Sequence, residues 1–310
     1  MMIRFLTLFI FPLTIIVFVP WIPDFYDTGR LILTTGLVMM ILFFWILSVI
    51  RTKRCIFSLN AGSIGFGLLF LTSVISTLVI SKNKIEALTN PLGPVLWLDL
   101  FLMSTFAPSF LKQEDLSLLR WVTAGCIAFL GLTATYQQFK ITSILFPNAS
   151  YLASNLWNPT GSPVSVILLA IAALPVTALL YRTAVKSHND RDSAFAIIFF
   201  LFDMITICIT LWRFLPSAQT VILPLQLGWT VLLETWKQVQ YASIGIGAEQ
   251  FVRAYTAARP VWVNTSPVWN TMFATNATLI LHFGVVYGML GVCACITLCI
   301  FLIKNREHSW

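Results

Sequence analysis

The sequence has little charge of either sign. Only 10% of its 310 residues are Asp, Glu, Lys or Arg, whereas 58% are hydrophobic. A soluble globular chain carries about 25% charged residues, so the composition excludes an ordinary water-soluble protein and indicates a membrane protein. The net charge of +7 is spread along the chain without forming a basic domain, and we therefore exclude nucleic-acid binding.

Histidine and clustered cysteine are also scarce. The chain has three His and six Cys, and it contains no Cys-x-x-Cys pair and no Cys/His cluster. We expect no metal and no cofactor. Because five of the six cysteines fall within apolar runs, we also expect no disulfide.

Long apolar runs are abundant. A helix needs about 20 apolar residues to cross a hydrocarbon core of about 30 Å, and the runs are continuously apolar rather than alternating, which favours helices over barrel strands. The sequence therefore predicts an all-α, polytopic membrane helical bundle forming a single domain over residues 1–310. About eight transmembrane helices are expected, at roughly 5–22, 31–50, 62–80, 94–111, 118–138, 163–181, 194–213 and 277–303.

The distribution of Lys and Arg predicts the orientation. With the N-terminus inside, the inner segments hold eleven of these residues and the outer segments eight, of which four lie in or beside one long loop. Cytoplasmic loops carry the excess of positive charge, so the expected topology is N-in and C-in. Residues 139–162 and the long loop at 214–276 are then extracytoplasmic.

Two carboxylates within predicted spans raise an alternative. Asp99 and Asp203 are ionisable groups of the kind that mark proton relays in transporters. Secondary transporters, however, carry internal inverted repeats and paired broken spans, and we find neither in this sequence. Transport would also leave the long outer loop without a role.

The outer loop begins with an amphipathic pattern. Apolar residues recur at three- and four-residue spacing, at Trp229, Leu232, Leu233, Trp236 and Val239, with polar residues off that face. This predicts a helix on the outer leaflet, or alternatively a loop helix packed on the bundle. The Gly-x-Gly turn that follows has no preceding strand, so it is not a dinucleotide fingerprint.

Two arginines follow the turn. Arg253 and Arg259 lie six residues apart, with Phe251 and Tyr255 beside them. A guanidinium is a planar fork of donors that matches a phosphate or carboxylate, and two of them at the outer membrane surface suit a pyrophosphate. The alternative is that each is a solvated or snorkelling arginine.

The order of these segments carries a resemblance to a known family. "ILPLQLGWTVLLETWKQV" leads into "SIGIGAEQFVRAYTAARP", then "NTSPVWNTMF" and "YGMLG", and upstream stand "LLFLTSVISTLVISKNKIEALTNPLG" and "NLWNPTGSPVSVILLA". This series resembles the O-antigen ligase and O-antigen polymerase superfamily over most of the chain.

The resemblance implies a metal-independent glycosyltransferase in a bacterial plasma membrane. Such an enzyme moves a glycan from an undecaprenyl-pyrophosphate carrier to a glycan or lipid acceptor at the outer face, in cell-surface polysaccharide biosynthesis. Loop arginines bind the pyrophosphate, and a histidine at the start of the following span acts on the acceptor hydroxyl. The candidate substrate-binding residues are Arg30, Arg253, Tyr255, Arg259, Asn270 and Asn276.

The sequence also departs from the family pattern. The turn has Ala248 and Glu249 where the family favours Pro and Gly, which places a carboxylate near a bound phosphate. Ala277 stands at the position expected for the catalytic histidine, and His282, five residues further on, is the remaining candidate base. Two interpretations follow: a divergent glycan ligase or polymerase, or a degenerate member that binds lipid-linked glycan or acts as a scaffold without catalysis.

Overall fold

The computed structural model describes residues 2–17, 27–54, 57–139, 159–215, 222–266 and 268–307. Over these ranges the protein is all-helical, without a β-strand. Most of the predicted extracytoplasmic segment 139–162 and the cysteine at position 55 lie outside the described residues. The predicted all-α class is therefore confirmed for the described part of the chain.

Thirteen α-helices are described, and two short 3₁₀ turns accompany them at Ala248–Gln250 and Val261–Thr265. In chain order the helices are α1 Met2–Ile16, α2 Asp27–Thr52, α3 Ala61–Val79, α4 Lys84–Thr89, α5 Pro94–Phe110, α6 Gln113–Gln138, α7 Pro163–Lys186, α8 Asp190–Phe214, α9 Leu225–Trp236, α10 Val239–Ile244, α11 Phe251–Ala258, α12 Leu279–Val286 and α13 Gly288–Glu307.

Six segments of the described chain are helical, long and apolar enough to cross a membrane, as expected of a multi-pass membrane protein. They are α2, α3, the α4–α5 segment, α6, α7 and α8. Helix α1 is shorter, with 15 residues. The run predicted at 277–303 is not one helix, because it breaks between Val286 and Gly288. The count of about eight spans and the N-in, C-in topology stay predictions.

Helix starts follow from local capping. Asn60 caps α3 through a reciprocal pair of hydrogen bonds with Ser63, 2.8 and 2.9 Å long, which satisfies a free backbone N–H of the first turn. The side chains of Asn83 and Asn189 cap α4 and α8 by accepting from the backbone N–H groups of Glu86 and Asp192. Pro163 occupies the first turn of α7, where its missing N–H costs nothing.

The chain divides into two compact units, 1–37 with 110–217 and 38–109 with 218–310. In the first unit, Arg4 near the start of α1 is hydrogen-bonded and ion-paired to Asp115 near the start of α6. Arg30, predicted to bind substrate, donates instead to the backbone carbonyls of Val17, Pro159 and Thr160. These contacts fasten the start of α2 to the residues that precede α7.

Helices α6, α7 and α8 pack together through small side chains. Ala124 and Ala196 are buried in one contact, and Ala170 and Ala173 in another. A Cβ at Gly131 of α6 would collide with Thr206 of α8. Small residues let backbones approach closely, which is how helices associate in lipid.

The second unit contains an antiparallel pair, α3 and α13. A Cβ at Gly65 would lie within 2.9 Å of the Leu298 backbone, and one at Gly62 would lie 3.9 Å from Leu302. The start of α3 therefore lies beside the end of α13. At the opposite end, the carbonyl of Val286 accepts a 3.1 Å hydrogen bond from Ser76, in the last turn of α3. The described residues of the long loop predicted at 214–276 assemble at this end.

Candidate functional site

The glycine turn after α10 is fastened to the break between α12 and α13. The N–H groups of Ile246 and Gly247 donate to the carbonyls of Val285 and Val286, both at 3.1 Å. Gly245 and Gly247 have φ of +82° and +95°, a region that residues with a Cβ rarely adopt. A Cβ at Gly245 would also collide with the Val286 backbone. Glycine is therefore required for this close backbone approach.

A cavity of about 330 Å³ lies beside this turn, between the end of α3 and helices α9, α10 and α11. Its polar lining includes Lys82, Glu234, Gln238, Tyr241, Gln250 and Arg253. The carboxylate of Glu234 forms a 2.7 Å ion pair with Lys237. Lys82 and Arg253 are exposed, and within the described ranges neither has an ion pair or a side-chain hydrogen bond. The cavity therefore presents two available cations and the amides of two glutamines.

Arg259 does not line this cavity. It is the residue directly after α11, and its Nη2 donates to the backbone carbonyl of Trp269, while its Nε is buried without a partner among the described residues. Arg253 lies six residues earlier, in the first turn of α11, and lines the cavity. The structure therefore does not bring the two predicted pyrophosphate ligands into one cavity. Arg259 instead joins the end of α11 to the backbone of Trp269.

The aromatic residues of α11 form part of the protein core. Tyr255 is buried edge to face with Phe273, with ring centroids 5.6 Å apart, and its hydroxyl has no partner in the described structure. Phe251 is buried against the imidazole of His282, with centroids 4.9 Å apart. Asn270, another predicted ligand, is exposed on the loop.

His282 and Asn276 are joined in a buried network. The backbone N–H of Asn276 donates to Nδ1 of His282 over 3.3 Å. The side-chain amide of Asn276 donates to the carbonyl of Gly228 over 3.3 Å, and its oxygen accepts from the N–H of Ala277 over 2.7 Å. Because Nδ1 acts as an acceptor, the imidazole is neutral with its proton on Nε2. The network holds the entrance of α12 against α9.

Ala277 lies at the edge of the same contact. A Cβ built at Gly228 of α9 would lie 3.2 Å from the Ala277 Cβ, so the two backbones approach closely. Ala277 is itself half-buried. Its methyl group supplies no proton acceptor at the position where the family resemblance places the base.

Glu249 is turned away from the cavity. Its Oε2 accepts a 3.0 Å hydrogen bond from the hydroxyl of Ser81, and its Oε1 is buried without a partner among the described residues. Residues on both sides of this pair, Lys82 and Gln250, line the cavity. The carboxylate therefore joins the end of α3 to the glycine turn, and the repulsion expected from the sequence is weakened by its orientation.

Sequence patterns do not predict the contribution of the end of α3 to the cavity. Lys82, Gln238 and Gln250 line it and are not among the candidate residues predicted from the sequence. The signal available was positional, because Lys82 follows directly on a predicted span whose end faces the same side as the loop. No family model, no curated protein and no solved structure matches this chain.

Proposed function

We propose that this protein binds an undecaprenyl-pyrophosphate-linked glycan at the outer face of a bacterial plasma membrane and transfers the glycan to an acceptor hydroxyl, like the O-antigen ligases and polymerases it resembles. The observation that carries the proposal is the cavity at the end of α3, which Arg253 and Lys82 line without a partner among the described residues. Cations that no carboxylate neutralises are the groups an anionic ligand requires.

The lining of the cavity suits both parts of such a donor. Arg253 offers a planar fork and Lys82 a compact point charge for the phosphate oxygens. The amides of Gln238 and Gln250 and the ring of Tyr241 supply hydrogen bonds and an apolar face for a sugar. The two cations come from different parts of the chain, Lys82 from the connection between α3 and α4 and Arg253 from α11.

The proposed reaction is a displacement at the anomeric carbon. The acceptor oxygen forms the new bond to that carbon while the bond to the pyrophosphate oxygen breaks, and the acceptor proton passes to a base. Arg253 and Lys82 stabilise the negative charge that develops on the leaving pyrophosphate, which is the role that fixed donors perform best in a poorly hydrated site. His282 is the candidate base, through Nδ1 once the hydrogen bond from the N–H of Asn276 breaks.

A second candidate is binding without transfer, and a specific observation favours it. Ala277 has no titratable group, and Nδ1 of His282 is occupied by the N–H of Asn276. With Nε2 protonated, neither imidazole nitrogen can accept a proton until this hydrogen bond breaks. The protein would then hold lipid-linked glycan for another enzyme.

The test uses the full chain in lipid nanodiscs with an undecaprenyl-pyrophosphate oligosaccharide, and it measures donor binding and glycan transfer separately. Arg253→Gln removes a charge-assisted contact worth about 1.5–3 kcal/mol and should weaken donor binding by about 10- to 100-fold. Lys82→Gln should weaken it less, because an ammonium is a point charge that cannot make the paired hydrogen bonds of a guanidinium fork. The matched control is Lys84→Gln, an exposed cation on α4 outside the cavity, which should leave affinity unchanged.

Unchanged donor affinity in both cavity variants would contradict the proposal. Ala277→His then separates the two candidate functions. If the wild type binds donor without transferring it, returning a base to this position should create or raise transfer at constant affinity. A wild type that already transfers glycan, and loses transfer but not binding in His282→Gln, supports the enzyme instead.

A further inference from the structure

The segment that follows α11 has an exposed apolar face that the proposed function does not use. Its inner side is in the core, where Val263 and Val268 are buried. On the same segment Val261 is 83% exposed and Met272 is 78% exposed. Trp262 and Trp269 are also about half exposed. Four large apolar side chains are thus exposed within twelve residues, and such a concentration favours a contact surface over scattered exposure.

Hydrogen bonds join the described parts of this segment. Arg259 at its start donates to the carbonyl of Trp269, and the 3₁₀ turn at Val261–Thr265 is closed by the 3.0 Å hydrogen bond from the N–H of Ser266 to the carbonyl of Val263. The exposed face is therefore part of a surface formed by residues 261–266 and 268–272.

The position of this surface points to a bilayer. The core that buries Val263 and Val268 also contains Val286, whose carbonyl is hydrogen-bonded to Ser76 in the last turn of α3. Helix α3 is a candidate membrane span, and Ser76 lies about 4.5 Å from its end at the helical rise. The buried residues of this segment thus belong to a core that reaches the last turn of a candidate span.

Charge and residue type agree with this placement. Between Glu249 and Glu307 the sequence contains no Asp or Glu, whereas Arg253 and Arg259 lie within that stretch. No carboxylate in this stretch would therefore repel anionic lipid headgroups. Tryptophan, with an apolar body and one N–H donor, is enriched at the headgroup level, and the apolar side chains beside it suit the boundary with the acyl chains.

We infer that the exposed face of residues 261–272 is a membrane-docking surface, immersed in the outer leaflet of the bilayer that the spans cross. The loop beside the cavity is then anchored in lipid rather than covered by water or by a second copy of the chain. This holds whichever ligand the cavity binds.

The test measures the depth of single sites in the full-length protein in nanodiscs containing phosphatidylcholine and phosphatidylglycerol. Val261→Cys and Met272→Cys are labelled with an environment-sensitive fluorophore, and quenching by lipids with spin labels at two depths is recorded. Wild type treated identically gives the background from the native cysteines. Both parent side chains are highly exposed, so the variants should fold, which the intrinsic tryptophan emission checks.

Both labels should lie about 5–10 Å below the headgroup level. Lys84→Cys is the matched control, an exposed polar position on α4 of the same unit, and its label should be accessible to iodide in water and not quenched by lipid. Lipid quenching at 261 and 272 no stronger than at 84 overturns the inference. Shielding from iodide without lipid quenching, together with cross-linking between the labelled sites of two chains, overturns it in favour of a second copy.

Discussion

The helices α6–α8 and the core around the glycine turn are packed in different ways. The first region brings helices together through Ala124, Ala196 and Gly131, with exposed aromatic and aliphatic residues left outside. The second buries large side chains, among them Phe251 and Phe283. Close backbone approach at small residues is how helices associate within lipid. Large aromatic side chains contribute instead through the apolar area that they bury and through their ring contacts.

The two regions therefore differ in the side chains that they bury. The three helices are candidate membrane spans, whereas the core around the glycine turn joins the loop helices to two further candidate spans through Leu69 of α3 and Trp97 of α5. Polar groups follow the same division. In the helices the fully buried Asp203 accepts a 3.2 Å hydrogen bond from Thr177, while the loop region places its cations at a cavity wall.

Removing a large side chain from the loop core should have the largest effect. Phe283 is fully buried and meets Trp97 edge to face, with centroids 5.4 Å apart. Phe283→Ala should lower the free energy of unfolding by about 3–5 kcal/mol, measured by chemical denaturation of the purified protein in detergent. Phe129→Ala, at an exposed position of α6, is the control and should cost little. Equal losses from both variants would erase the distinction between the regions.

Adding one methyl group to the helix contact should have the next largest effect. In Gly131→Ala the new Cβ collides with Thr206, so α6 and α8 must separate, at a cost of about 1–3 kcal/mol. In Gly125→Ala nothing lies within 4 Å of the new Cβ, and a helical glycine replaced by alanine should gain about 0.5–1 kcal/mol. The thermal unfolding midpoints of the two variants should therefore move in opposite directions. A shared direction would mean that close approach at Gly131 does not stabilise the helices.

Removing a single tyrosine hydroxyl should have the smallest effect on the free energy of unfolding. The Tyr287 hydroxyl donates to the carbonyl of Leu92, whereas the Tyr255 hydroxyl is buried without a partner in the described structure. Tyr287→Phe should cost about 0.5–1.5 kcal/mol, and Tyr255→Phe should be neutral or slightly stabilising. Chemical denaturation of both variants and the wild type measures these changes in the free energy of unfolding. A loss of stability in Tyr255→Phe would show that its hydroxyl is satisfied, and a selective loss of donor binding would support its predicted role as a ligand.

Sequence patterns located the long helices well. Each of the six membrane-length helical segments contains a predicted span or most of it, because continuous apolar runs leave the backbone no partner except itself in lipid. The last predicted run, 277–303, was only partly right. Its break follows from Gly288, whose φ of +65° lets the chain pass the backbone of Ser243 and Gly245. That contact depends on residues some 40 positions away, which no local pattern records.

The amphipathic helix predicted in the long loop also shows what a local sequence pattern leaves open. A helix was expected from the spacing of apolar residues around Trp229, and α9 is present. Its buried face, however, includes Leu227 and Val231, while Trp229 and Leu233 are exposed. With apolar residues on more than one side, the sequence fixes the helical period but not which side meets the protein.

The sequence by itself determined the all-helical class, most of the long spans, the scarcity of metal-binding residues and the cationic character of the loop. These properties are local, since hydropathy, capping and composition act within a few turns of the chain. Only the tertiary structure decided that Arg253 faces the cavity with Lys82 while Arg259 closes a loop, and that Glu249 turns to Ser81. Such choices depend on which distant backbone groups need a partner and where a side chain finds room, and that is settled only when the elements pack.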